Sequence, residues 1–252
     1  MPDFEEILAD LHNHSCLSPC GSLELSPSVL AERARARGIR LLALTDHNSA
    51  LNTPAFSESC RREGITALFG IEACSAEEVH VLCLFGTLDD VLDFGETLRG
   101  RLPDLPYDVG RLGDQAVVDA DENVLELSRL WLGAALDLDF GGLCALARSR
   151  GALVIPAHVD RPYMSVGSQL GFLPPGPYAA VESMRPPPPS LSGGHTVISG
   201  SDAHEPESVG RRAFLLGLPV GWRELEGRAL LAAVGEGLGA GRVRAGWQLD
   251  ER

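Results

Sequence analysis

Short apolar runs alternate with amphipathic stretches along most of this chain, and the spacing predicts alternating strands and helices. Ile7–Leu11 reads as a strand. Ser26-Pro27 supplies an N-cap and a first-turn proline for a helix running to about Arg37, with Gly38 as its stop. Leu41–Thr45 is a second strand, and a helix over Pro54–Glu63 closes on Gly64. Thr66–Ile71 and Val79–Phe85 read as strands, and Leu88–Arg101 has helical spacing. Leu102–Asn123 is rich in Pro, Gly and Asp and reads as a loop or insertion. Val124–Leu132 and Phe140–Arg150 are predicted as helices, the second closed by Gly151. Ala152–Ala157, Ala179–Glu182, Thr196–Ser199 and Ala213–Leu218 read as strands, and Glu224–Val234 as a terminal helix. Pro186–Pro189 is a rigid connector.

Repeated strand-then-helix order predicts a parallel sheet with helices outside it. Seven or eight such units close into a barrel, whose functional residues gather at the C-terminal ends of the strands. At 252 residues the chain fits one domain, taken as 1–252.

Composition narrows the classes of function. The net charge is −14, from 35 acidic and 21 basic residues. Such a surface repels a long polyanion unless a basic groove intervenes, and no Lys/Arg-rich run with interleaved aromatics is present. A small phosphorylated molecule stays compatible, because bound cations reverse the local field. None of the six cysteines forms a C-x-x-C pair, the N-terminal stretch lacks a signal-peptide core, and no apolar run is long enough to span a membrane. Free thiols and a reducing cytoplasm are the expected setting.

The candidate chemistry lies where strands stop. His12 and His14 follow the first strand in Asp10-Leu11-His12-Asn13-His14, and His47 follows the second in Thr45-Asp46-His47. Glu72 ends the third, His158 follows Ala152–Ala157, and His204 follows Thr196–Ser199 in Ser201-Asp202-Ala203-His204. A single histidine after a strand is more often a surface or hydrogen-bonded residue than a ligand. The coincidence of H-x-H, D-H, a strand-end Glu, a strand-end His and D-x-H points instead to a shared metal centre. The H-x-H spacing puts both rings on one side of an extended segment, and imidazole with carboxylate suits zinc, iron and manganese.

Asp10–Ser15, Thr45–Asn48, Gly70–Glu72, Glu78–His80, Pro156–His158 and Ser201–His204 together resemble the PHP (polymerase and histidinol phosphatase) domain, in its stand-alone bacterial phosphoesterase form. The resemblance runs from about residue 7 to about residue 210. It implies an α/β fold, a distorted (β/α)7 TIM-like barrel with two or three divalent ions at its mouth, and hydrolysis of a phosphate ester by a metal-activated water. Carried over by motif, His12, His14, Glu72 and Asp202 hold the first ion. Glu72, His80 and His158 hold the second, and His47 and His204 belong to a third site. His80 rests on the resemblance alone, because it begins its predicted strand; the alternative is a packed histidine in Val79-His80-Val81.

Around these ligands, Cys20 is either a soft third-site ligand or an inert thiol. Asp46 is expected to orient a ligand histidine. Glu182 either does the same or pairs with a basic residue. His204 is a candidate proton donor when not bound to metal. Arg161 is expected to grip a phosphate oxygen, the alternative being a salt bridge to Asp160 or a neighbour. His195 is expected at the surface. Three functions remain open: hydrolysis of a small phosphomonoester, nuclease or phosphodiesterase action on nucleotides or short oligonucleotides, and a non-catalytic module stapled or regulated by metal. Leu102–Asn123 and Met164–Gly176 are the candidate lids.

Overall fold

A computed structural model describes residues 3–105 and 107–249. Met1, Pro2, Pro106 and residues 250–252, which the single-domain reading includes, lie outside the described residues. In chain order the elements are β1 (Phe4–Asp10), α1 (Pro27–Ala36), β2 (Leu41–Leu44), α2 (Thr53–Glu63), β3 (Thr66–Cys74), β4 (His80–Phe85), α3 (Leu88–Arg99), α4 (Val109–Leu112), β5 (Ala116–Val118), β6 (Val124–Leu127), α5 (Phe140–Ser149), β7 (Leu153–Pro156), α6 (Val166–Gln169), β8 (Val181–Glu182), α7 (Pro189–Ser192), β9 (Val197–Ile198), β10 (Phe214–Pro219), α8 (Gly227–Gly239) and β11 (Val243–Arg244).

The main sheet has seven strands in the order β11-β10-β1-β2-β3-β4-β7. It is mixed, not the all-parallel sheet expected from strand–helix alternation. β1, β2 and β3 run parallel, whereas β4 is antiparallel to both β3 and β7, and β10 is antiparallel to β1. The reversal at β4 follows from the short Ser75–Val79 link, too short for a helical crossover. A separate parallel pair, β8-β9, fills the gap between β7 and β1. Ala179 N donates to Val154 O on one side, and the isolated bridge between Asn13 and Ala203 lies on the other. The sheet is thereby curled into a distorted α/β barrel.

Strand side chains alternate between two cores. Ile7, Ala9, Leu41, Ala43, Leu68, Leu82, Leu84, Ile155 and Phe214 pack together with Leu230, Val234 and Leu238 of α8. Leu42, Leu44, Ile71, Val81, Cys83 and Val154 face the helix layer. There they meet Leu30 and Ala34 of α1, Phe56 of α2, Phe94 of α3 and Leu143 of α5. The helix starts carry the expected caps. Ser26 accepts from Val29 N, Thr87 from Asp90 N, and Asp139 from Gly142 N.

The segment Val124–Leu132 is not a helix. Val124–Leu127 is strand β6, paired antiparallel with β5. Its apolar residues have helical spacing but no core to face, and Val124, Leu125 and Leu127 are all exposed. The Asp119 side chain ties the preceding turn, accepting from Asp121 N and Asn123 N. Gln115 then holds the following chain extended: its Nε2 donates to Leu130 O and its Oε1 accepts from Leu132 N. Among the described residues no helix is long and apolar enough to cross a membrane.

Candidate metal centre

The rim where β1, β2, β3 and β7 end is stitched by backbone bonds. Thr45 N donates to Asn13 O, Glu72 N to Asp46 O, Asn48 N to Glu72 O, and Asp202 N to His12 O. These bonds bring the strand-end residues to one buried point. Because β4 runs the other way, its first residue, His80, lies at the same rim, opposite Cys74 of β3. A parallel barrel would have put His80 at the far end. In the antiparallel strand its place at the start is what brings it into the site.

Glu72 is the hub, with only 1% of its surface exposed. Its Oε1 lies 3.2 Å from His12 Nε2, 3.0 Å from His80 Nδ1 and 3.0 Å from His158 Nε2. Its Oε2 lies 3.1 Å from His47 Nδ1 and 3.3 Å from His14 Nε2. Asp202 Oδ1 lies 3.1 Å from His14 Nε2 and 3.3 Å from His12 Nε2. Three groups have donor atoms close enough to share an ion: His12, His14, Glu72 and Asp202; His47, Glu72 and His80; and His14, His47 and His204. The first is the set carried over by motif. The others differ from the expected sets, since His47 joins Glu72 and His80 while His158 reaches the cluster through Glu72 Oε1.

The hydrogen-bond pattern aims lone pairs inward. His12 Nδ1 donates to Glu182 Oε2 at 2.8 Å, leaving Nε2 facing the cluster as the atom that would bind a cation once its proton is displaced. The Ser18 hydroxyl donates to Asp46 Oδ1 at 2.6 Å and therefore accepts from His14 Nδ1 at 2.9 Å. His14 Nε2 is then also a lone pair, 3.2 Å from that of His12. Two such lone pairs among carboxylate oxygens repel unless a proton or a metal cation lies between them.

The fit to divalent cations is also visible in an unpartnered atom. Among the described residues Glu72 Oε2 is buried without a hydrogen-bond partner. The electrostatics agree. Burial pulls the His12 pKa down, but Glu182, Glu72 and Asp202 outweigh it and hold it well above the ordinary histidine value. Burial would raise Glu72, but His80, His12 and His47 keep it well below the usual carboxylate range. The carboxylates thus demand positive charge at their centre. A buried N/O donor set of this kind suits several divalent ions. His158 and Asp202 both adopt positive φ, 29° and 49°, a conformation rare for side-chain-bearing residues and concentrated at functional sites.

The remaining candidates fall at defined places. Asp46 touches no cluster histidine directly. It accepts from Ser15 N, Ser15 Oγ and Ser18 Oγ, and it acts on His14 through Ser18, whose oxygen also accepts from His47 N. Glu182 orients His12 and also accepts from His158 N at 3.0 Å. Arg161 pairs with Asp202 Oδ2 and not with Asp160, so its guanidinium lies at the rim of the cluster. Arg185 takes the place beside Asp160, at 3.4 Å.

His204 donates Nδ1–H to Asp202 O, and burial pulls its pKa down to about 4. Its Nε2 therefore carries a lone pair at neutral pH, which fits the third-site ligand expected from the sequence better than the alternative role of proton donor. Cys20 is exposed and belongs to none of the three donor groups. His195 is half-buried, edge-on to Tyr178 and outside these groups.

Ser15, Ser18, Asn52 and Asp10 went unread in the sequence. Asn52 Nδ2 donates to Ser15 Oγ and Ala116 O, and its Oδ1 accepts from Val118 N, which ties the β5–β6 hairpin to the metal loop. Asp10 accepts from Ser201 N, and burial pushes its pKa up to about 6. The one cue for the serines was their place in the loop after H-x-H.

Fold and site together define a curled α/β barrel with a polynuclear metal-type cluster in its mouth. Residues 10–128, somewhat under half of the chain, match the family profile of the PHP domain. That stretch carries His12, His14, His47, Glu72 and His80, and the remaining cluster residues come from the chain beyond it. No curated protein sequence matches the chain.

Among solved structures, the chain is similar to the lesion-specific endonuclease PfuEndoQ from Pyrococcus furiosus, with a TM-score of 0.65 and 17% identity over 96% of this chain and 58% of that one. It is also similar to Endonuclease Q in complex with a 27-mer duplex carrying an abasic lesion at its active site, with a TM-score of 0.59 and 18% identity over 85% of this chain and 53% of that one. A protein assigned as a metal-dependent phosphoesterase from Bifidobacterium adolescentis has a TM-score of 0.54 and 19% identity over 78% of this chain and 87% of that one. The chain spans little more than half the length of the two endonucleases, and at these identities the likeness is one of fold.

Proposed function

We propose that this chain is a metal-dependent phosphoesterase that hydrolyses a small phosphate monoester. The carrying observation is the buried Glu72 carboxylate ringed by five imidazole nitrogens at 3.0–3.3 Å, with Arg161 at the rim. The three donor groups would hold two or three divalent ions, of zinc, manganese or iron, with Glu72 shared between two of them. Bound there, the ions supply Lewis acidity and a water that loses its proton near neutral pH.

The chain's own residues do the rest. Glu182 and Ser18 fix the rings of His12 and His14, so that the ligand lone pairs need no reorganisation. Arg161 is charged and partly buried, and among the described residues its guanidinium hydrogen-bonds only Asp202, which leaves donors for a phosphoryl oxygen. A net charge of −14 favours a small substrate over a long nucleic acid, and the likeness in fold to an endonuclease does not offset it.

The test is elemental analysis of purified protein, followed by assays on p-nitrophenyl phosphate, its bis-ester and a short labelled oligonucleotide, with and without chelator. Metal-dependent turnover of the monoester alone supports the proposal. Diester cleavage or oligonucleotide trimming moves the reading to a nuclease. Bound metal with no turnover on a broad phosphate panel leaves a structural or regulatory metal module.

A further inference from the structure

The loop that carries Arg161 also carries Tyr163, and three observations single that tyrosine out. The first is place. His80 N donates to Met164 O at 3.3 Å, so the residue after Tyr163 is bonded to a strand end inside the metal cluster. The second is partnership. The Arg161 guanidinium carbon lies 5.4 Å from the Tyr163 ring centroid, while the same guanidinium bonds Asp202 of the cluster. Arg161 therefore links the ring to the metal centre in one step. The third is exposure on a fixed support. Tyr163 is 59% exposed, although its loop is held at both ends. Arg161 N donates to His158 O, Ser165 Oγ donates to Arg161 O at 2.6 Å, and Gly167 N donates to Val159 O.

A lone exposed tyrosine needs no explanation. One held rigidly beside the cation that would grip the phosphate is different, because a flat ring in that position has an open face and little ordering left to lose. We infer that Tyr163 is the stacking platform for an aromatic ring carried on the alcohol side of the ester, so that this site selects phosphate esters of ring-bearing alcohols over aliphatic ones. The inference rests on the phosphoesterase reading for what lies beside Arg161. Stacking on an aromatic platform is insensitive to the substituents of the ring, so the class is defined by a flat face and not by one hydrogen-bond pattern.

Two measurements test it. In the first, benzylphosphonate and methylphosphonate, which cannot be hydrolysed, are titrated calorimetrically into metal-loaded protein. The wild type should bind the benzyl compound about tenfold more tightly. Tyr163→Ala should erase the difference, and Tyr163→Phe should keep it. In the second, kcat/KM is compared for adenosine monophosphate and ribose phosphate esterified at the same primary hydroxyl, so that the leaving group is constant. The same pattern across the three proteins is expected. Because Tyr163 is exposed, neither variant should alter folding. Equal affinities for the two phosphonates, or a preference that survives Tyr163→Ala, overturns the inference. If the phosphonate preference appears and follows Tyr163 while no ester is turned over, the aromatic subsite stands and the phosphoesterase reading alone fails.

Discussion

His12 Nδ1 lies 2.8 Å from Glu182 Oε2, joining the first strand end to the eighth across 170 residues of sequence. The same carboxylate oxygen accepts from His158 N. One acid therefore fixes the ring of one cluster residue and the backbone of another. In Glu182→Gln the amide can turn its NH2 toward His12 and force the wrong tautomer. Removing such an orienting partner typically costs tenfold to a hundredfold in metal affinity. Competitive titration against a chelating dye should show a loss in that range, with the far-ultraviolet spectrum unchanged. Wild-type affinity in the variant would show that Glu182 is only a packing residue.

Ser18 is the second such device and was invisible as a motif. Its hydroxyl donates to Asp46, accepts from His14 Nδ1 and accepts from His47 N. Ser18→Ala should loosen two cluster histidines at once and lower metal affinity by about tenfold. It should also destabilise the metal-free protein by about 1–3 kcal/mol, because the buried Asp46 loses one of its partners. Urea unfolding of chelator-treated protein measures the second effect separately from the first.

Apart from His80, the histidines and acids of the centre were legible because each lies at or just after the end of a strand, and strand ends in a curled α/β sheet converge. What the sequence could not show was strand direction. Alternating strands and helices suggested a parallel sheet, and the reversal at β4 depends on the five-residue link Ser75–Val79, which carries no strong turn signature. His80 was consequently found by resemblance and not by its place in the pattern. The misread β6 has the opposite cause. Its apolar spacing suits a helix, but Gln115 and the Asp119 turn hold it extended by side-chain-to-backbone bonds with no sequence period. Glu182 and Ser18 became readable only once the histidine tautomers had to be satisfied.

The β5–β6 turn is also clasped from α2, and that clasp has a pH signature. Glu58 pairs with Arg61 and Arg62, and Arg62 reaches on to Asp121 and Ala120 O. Hydrogen bonds from Arg61 and then Arg62 lower the Glu58 pKa from 4.5 to about 2. A carboxylate whose pKa is lower in the folded state stabilises the fold above its unfolded value and loses that contribution as pH falls through its folded value. Glu58→Gln should therefore melt slightly below the wild type at neutral pH. The two melting curves should converge as pH falls from about 4.5 toward 2. Because the network is at the surface, the gap should also shrink with added salt. A gap independent of both pH and salt would assign the effect to helix propensity instead.

Gly200 tests how tightly the His12–Glu182 pair is enclosed. It follows β9 and has no side chain because there is no room for one. A Cβ there would press into Glu182 Oε1 and lie 2.8 Å from His12 Cβ. Neither neighbour can yield cheaply, since Glu182 is held by two hydrogen bonds and His12 by its place beside Glu72. Gly200→Ala should therefore displace the carboxylate, destabilise the fold by about 1–3 kcal/mol through overpacking, and weaken metal binding as Glu182→Gln does. Shortening the acid removes the clash with its carboxylate but not the 2.8 Å approach to His12 Cβ, so the two effects should be less than additive. The double variant Gly200→Ala, Glu182→Ala should lose less metal affinity than the sum of the two single losses. A double-mutant cycle on metal affinity and urea stability reads that coupling directly. Additive losses would place the Gly200 effect elsewhere in the β8–β9 seam.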